Sequence, residues 1–174
     1  MFKYYFGFAV KEIISAYVKR AGPGQKLKGR KVAIVVANEF EDVELLYPFL
    51  RLSEEGAEVV IVPIRKGLHP RPAVKDKPVT GRYGTPIPLE VFGEGVRYAV
   101  RELKQVKSEE FDAVVIPGGF SPDALRINSE VLEFVKDAYN KGKIIAAICH
   151  GPQVLISAGL VRGKNVVVDS FQNR

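Results

Sequence analysis

The stretch Val32-Ala33-Ile34-Val35-Val36-Ala37-Asn38-Glu39-Phe40-Glu41-Asp42-Val43-Glu44-Leu45 decides the fold class. Its first six residues are a continuous apolar run rich in β-branched side chains, which suits a strand buried on both faces of a parallel sheet. A polar break follows, and Val43–Glu55 then reads as a helix with Leu45, Leu46, Phe49, Leu50 and Leu52 on its apolar face. Pro48 fits such a helix only in its first turn or at a kink. Gly56 closes it, and Val59–Ile64 is a second apolar run. Further out, Ala113–Ile116 and Lys143–Ile148 read as buried strands, with Val166–Val168 as a last short one. Asn128–Asn140 and Pro152–Ala158, the latter closed by Gly159, read as helices, and Gly95–Lys107 as another. Six prolines between residues 63 and 90 predict irregular chain, with a hairpin around Val79–Ile87. Strand and helix alternate throughout. The pattern predicts an α/β fold, an open sandwich with helices on both faces of a mainly parallel sheet.

The 174 residues suit one domain and are too few for two ordinary ones. With 47% hydrophobic and 26% charged residues the chain can bury a core, so whole-chain disorder is excluded. No apolar run reaches the roughly 18–20 residues that span a bilayer. One cysteine excludes an internal disulfide and a zinc cage of cysteines, and the two histidines, His69 and His150, leave little for transition metals. No cofactor and no metal is expected.

The formal charge of +6 is unevenly placed: residues 1–31 carry +7 and the remainder −1. The basic character belongs to an N-terminal extension and linker, residues 1–29, ahead of a domain over residues 30–174. A nucleic-acid surface needs a basic stripe on the folded body, so nucleic acid is not an expected partner. The first 20 residues read as a basic amphipathic helix, with Phe6, Val10, Ile13 or Ile14, and Tyr17 at helical spacing. Docking on its own domain or on a neighbouring subunit is favoured over contact with a membrane surface. A signal peptide is disfavoured, because Lys11-Glu12 ends a short apolar run and no A-x-A site follows.

In open α/β sheets, ligands bind beyond the carboxyl ends of the strands. Three such ends carry reactive residues. In Ala146-Ala147-Ile148-Cys149-His150-Gly151-Pro152 an apolar strand runs into a helix through a cysteine. Pro152 suits the first helical position and Gly151 permits a sharp bend, the layout of a nucleophile elbow with Cys149 as nucleophile. A thiol at a helix N-terminus is expected to be acidified. Adjacent side chains point apart in regular structure, so pairing of Cys149 with His150 depends on that bend and on a third group that orients the imidazole. The second end, Asn38 to Glu44, offers a carboxyl to shuttle a proton beside the cysteine, and spacing does not choose between Glu39 and Glu41. At the third, Pro117-Gly118-Gly119-Phe120-Ser121-Pro122-Asp123, the paired glycines can expose amides as an oxyanion hole. No phosphate-loop motif is present.

Together, Ala37–Leu45, Val115–Gly119 and Ala147–Gln153 resemble the PfpI-type intracellular proteases of the ThiJ/PfpI superfamily, in the right order and over roughly residues 31–164. The resemblance implies a flavodoxin-like three-layer sandwich and a cytoplasmic protein. It implies a nucleophilic Cys149, an adjacent His150, and a protonated carboxyl partner at Glu41. The glutamate that orients the histidine from a neighbouring subunit falls on Asp123, one methylene shorter. Gly118 and Gly119 would supply oxyanion-hole amides, helped by the His150 amide. The implied activity is a cofactor-free cysteine hydrolase: an intracellular peptidase, or a glyoxalase or deglycase attacking methylglyoxal-type carbonyls. The implied partners are a small carbonyl or peptide substrate and further copies of the chain, as a dimer or a larger ring. Members run on past the position of Lys164 with a strand, a helix and closing elements, so those C-terminal elements are expected to be missing from a chain ending at Arg174.

A non-catalytic redox sensor or chaperone with an oxidisable Cys149 is the alternative. A glutamine-amidotransferase-type hydrolase needs a histidine well after the cysteine, and none follows His150.

Overall fold

A run of β-branched residues has no polar face, so it is stable only where both sides are covered. That is the situation of β1, Lys31–Ala37, in the computed structural model, which describes residues 26–65, 78–89 and 98–163. It is followed by α1, Asp42–Glu54, and by β2, Glu58–Ile64. Then come β3, Tyr98–Val100, β4, Ala113–Ile116, the short helix α2, Ser121–Leu125, and α3, Ser129–Asn140. The described chain closes with β5, Ile144–Ala147, and α4, Pro152–Ser157. The helix expected over residues 1–20 and the strand at Val166–Val168 lie outside the described residues. No helix among the described residues is long and apolar enough to cross a membrane.

The five strands form one sheet in the order β3-β2-β1-β4-β5, every neighbouring pair parallel. Alternate residues of β1 serve opposite layers. Val32, Ile34 and Val36 pack with Val59 and Ile61 against Leu45 and Phe49 of α1, and Val79, Ile87 and Leu89 join that layer. Ala33, Val35 and Ala37 face the other way with Val60, Val62, Val114 and Ile116, under Leu125, Val131, Val135 and Val154. The result is the expected three-layer sandwich. The chain winds outward from β1 through β2 to β3, then returns to β4 and β5 on the other side. The reversal opens a crevice between the carboxyl ends of β1 and β4.

Three local readings change. Tyr98–Val100, expected in a helix, is an edge strand in register with Val59–Ile61, followed by two 3-10 turns at Leu103–Gln105 and Ser108–Glu110. Pairing with β2, a tertiary contact, overrides a short local periodicity. Helix α2 was not expected at all; it is five residues long with Pro122 in its first turn. Pro48 stands inside α1, past its first turn, which deprives the Glu44 carbonyl of its usual amide donor. The hairpin expected around Val79–Ile87 is present as an antiparallel bridge between Thr80 and Pro86, with the Ile87 amide donating to the Val79 carbonyl at 2.8 Å.

Candidate active site

The crevice is lined by the three segments that follow β1, β4 and β5. After β5, Cys149 takes a left-handed backbone, φ 54°, which costs a non-glycine residue about 1–3 kcal/mol. The bend therefore sits at the cysteine and not at Gly151, whose backbone is helical, φ −50°. Gly151 is needed for space. A Cβ there would stand 2.4 Å from the Ile116 carbonyl oxygen at the end of β4. Pro152 occupies the first helical position as expected. The bend exposes Cys149 and brings its Sγ to 3.3 Å from Nδ1 of His150, so the adjacent pair meets.

The carboxyl against the thiol belongs to Glu44, and not to either residue weighed from the sequence. Glu44 hydrogen-bonds with the Cys149 side chain and accepts the Gly118 amide on Oε2 at 2.7 Å. Glu41 turns away: its Oε2 accepts from Nη1 of Arg82 at 2.9 Å. Glu39, also left-handed at φ 62°, lends the site its carbonyl, which accepts the Phe120 amide at 2.8 Å. The physical reason lies in the helix. Side chains of an α-helix lean toward its N-terminus. Glu44 is the third residue of α1, one turn in, and so reaches back over the crevice, while Glu41 is the residue that caps it. The helix start and the backward lean together were the signal that would have found it.

Gly118 admits no side chain, because a Cβ would lie 2.7 Å from Glu44 Oε2, 2.8 Å from Cys149 Cβ and 2.9 Å from the His150 nitrogen. Its amide is committed to Glu44, so it is not available as the oxyanion donor expected from the sequence. The amides of Gly119 and His150 both face the sulfur. Gly119 is held from behind by a β-bridge to Phe40, and a Cβ there would lie 2.5 Å from the Glu39 carbonyl oxygen.

Loss of water on the buried side of the thiol and the Glu44 carboxylate push the Cys149 pKa up, and the two amides only partly oppose them. This reverses the acidified thiol expected from a helix N-terminus. The carboxylate is closer than the helix dipole, and α4 is only six residues long. Asp123 lies exposed on α2, with no side-chain hydrogen bond or ion pair among the described residues. It does not reach His150 of its own chain. Among the described residues no group of three or more His, Cys, Asp or Glu side chains is placed to hold a metal.

Residues 30–169 match the DJ-1/PfpI family. Deglycase PfpI from Pyrococcus furiosus is 40% identical over 134 residues, which cover 77% of this chain and 69% of that protein. A two-domain protein from Anabaena variabilis, with DJ-1/ThiJ/PfpI-like and ferritin-like domains, superposes with a TM-score of 0.59 at 36% identity over 78% of this chain. Oxidised DJ-1 from Toxoplasma gondii does so with a TM-score of 0.57 at 28% identity, again over 78% of this chain. This chain spans 34% of the first of these structures and 64% of the second.

Proposed function

The chain belongs to the DJ-1/PfpI family, and from that premise we propose that it is a cofactor-free thiol enzyme of the deglycase or glyoxalase type, acting on methylglyoxal and related α-oxoaldehyde adducts. One observation carries the reading: Cys149 on a strained elbow, with the Glu44 carboxyl and the Gly119 and His150 amides all against its sulfur. The sulfur adds to the aldehyde carbon. An S–C bond forms, the carbonyl π bond breaks, and the new oxyanion rests on the two amides. Glu44 takes the thiol proton and passes it to that oxygen. Glu44 then removes the remaining C1 proton, giving an enediol, and a proton returns at C2. The aldehyde carbon is oxidised and the ketone carbon reduced, so no outside redox partner is needed. The product is a lactyl thioester, which water cleaves to lactate and free thiol. Glu44 serves as the general base for a thiol that burial and the nearby carboxylate push up in pKa.

Peptide hydrolysis would use the same sulfur but asks more of His150, which must protonate a leaving amine and be oriented to do so. Among the described residues no carboxylate pairs with its imidazole. Conversion of the free α-oxoaldehyde, which has no amine to expel, is therefore the better fit. The test is a direct comparison of lactate release from methylglyoxal with peptide cleavage by one preparation, alongside Cys149→Ser. Lactate release lost at least ~10²-fold in the variant is expected. Wild-type rates in Cys149→Ser would refute the reading.

A further inference from the structure

Beside the thiol, the chain is stacked in layers, each hydrogen-bonded to the next. Outermost is the Thr80–Pro86 hairpin. Thr80 accepts the Glu39 amide at 2.8 Å, and the Arg82 amide donates to the Phe40 carbonyl at 3.0 Å. Inside it, the Glu39–Glu41 segment accepts the Phe120 amide and donates the Glu41 amide to the Gly118 carbonyl at 3.3 Å. Innermost is Gly118–Phe120, whose Gly119 amide faces the sulfur.

Arg82 reaches from the outer layer to both inner ones. Its Nη1 donates to Glu41 at 2.9 Å, and its guanidinium lies over the Phe120 ring, 5.2 Å from the centroid. The Tyr83 ring lies at 5.9 Å. Phe120 remains 52% exposed with the guanidinium over its ring, so few other groups hold that side chain. Gly119 has no side chain and stands at φ 71°, so this peptide is pliable unless its neighbours hold it. Phe40 holds one side through the bridge, and Phe120 holds the other.

We propose that Arg82 is a positioning residue that clamps Phe120 and Glu41 and thereby aims the Gly119 amide at the oxyanion; the inference rests on the reaction proposed above. An amide's contribution falls steeply as it leaves line with its acceptor, so a small rotation of this peptide costs rate without disturbing the fold. Arginine suits the task because its plane stacks on a ring while its fork pairs with a carboxylate, and lysine does not do both. Glu41 cancels its charge, so Arg82 acts on the thiol through geometry and not through its field.

The test uses the full chain, with Arg82→Ala and Arg82→Lys beside the wild type. Three quantities are read: kcat with methylglyoxal, the rate of Cys149 alkylation by iodoacetamide, and hydrogen exchange of the amides of residues 118–121. Alkylation displaces iodide at a saturated carbon and forms no oxyanion, so it reports on the thiol alone. Arg82→Ala should lose about tenfold in kcat, less than the ~10²–10³ lost when an oxyanion donor is deleted. Arg82→Lys should fall between, alkylation should slow by much less than kcat because the Gly119 amide also lowers the thiol pKa, and the amides should exchange faster. An unchanged kcat overturns the clamp, as does alkylation falling in step with kcat. If the wild type releases no lactate, the proposed reaction fails, and exchange decides the clamp separately: unchanged protection of 118–121 overturns it, and faster exchange upholds it.

Discussion

The thiol of Cys149 is poised against its own ionisation. A carboxylate in contact and partial burial raise its pKa, and two amides partly offset them. A raised thiol pKa means less thiolate at neutral pH, so iodoacetamide labelling should be slow there and climb with pH beyond the ordinary thiol range. Glu44→Gln keeps the side chain's size and its acceptor for the Gly118 amide while removing the charge. The thiol pKa then falls, and labelling at pH 7 becomes faster than in the wild type. Turnover should move the opposite way, dropping ~10²–10⁴-fold as the general base is lost. Opposite signs in the two assays are the signature of a carboxylate that both raises the thiol pKa and acts as the base. Labelling and turnover that decline together would show that Glu44 serves the fold alone.

At the scale of elements, the crevice is held by side chains that join one strand end to the next. The Ala37 amide, at the carboxyl end of β1, donates to Ser121 Oγ at 2.7 Å, and both groups are buried. Ser121→Ala leaves that amide with no partner away from water, which costs about 1–3 kcal/mol. The urea midpoint should fall accordingly, while exposed Ser129→Ala should stay within about 0.5 kcal/mol of the wild type. An unmoved midpoint for Ser121→Ala would show that water replaces the hydroxyl. The strands and the elbow could be read from sequence because the signal is local: β-branched runs, a glycine, and a proline that opens a helix. Helix α2 and strand β3 could not, since a five-residue helix has no period to detect and an edge strand is made by its neighbour. Choosing Glu44 over Glu41 needed the register of the helix start, which a polar run of four acids blurs. Arg82 was out of reach for a different reason. It lies 41 residues from Glu41, on a hairpin whose seat is fixed by contacts that no local pattern carries.

For the molecule as a whole, the doubly wound sheet brings β1, β4 and β5 side by side, and so converges three loops that are far apart in sequence. Among the described residues it converges no acid on the His150 imidazole. Imidazole and thiol meet at 3.3 Å on the open rim, while Asp123 projects from α2 into solvent. If a second copy supplies that carboxyl, each site is built from two chains, and two defective chains can repair one another. Asp123→Asn keeps its own cysteine but offers no acid to its neighbour; Cys149→Ser offers the acid and lacks the sulfur. Asp123→Asn alone should turn over methylglyoxal at least about tenfold more slowly than the wild type if the imidazole takes the proton from the water that cleaves the lactyl thioester, because it loses its orienting partner. Mixed in equal amounts and allowed to exchange subunits, the two variants form mixed pairs that each hold one intact site. In a two-fold assembly that restores roughly a quarter of wild-type activity. A mixture no more active than the mean of its two components would show that His150 works without a borrowed acid, and that each chain is sufficient for its own chemistry.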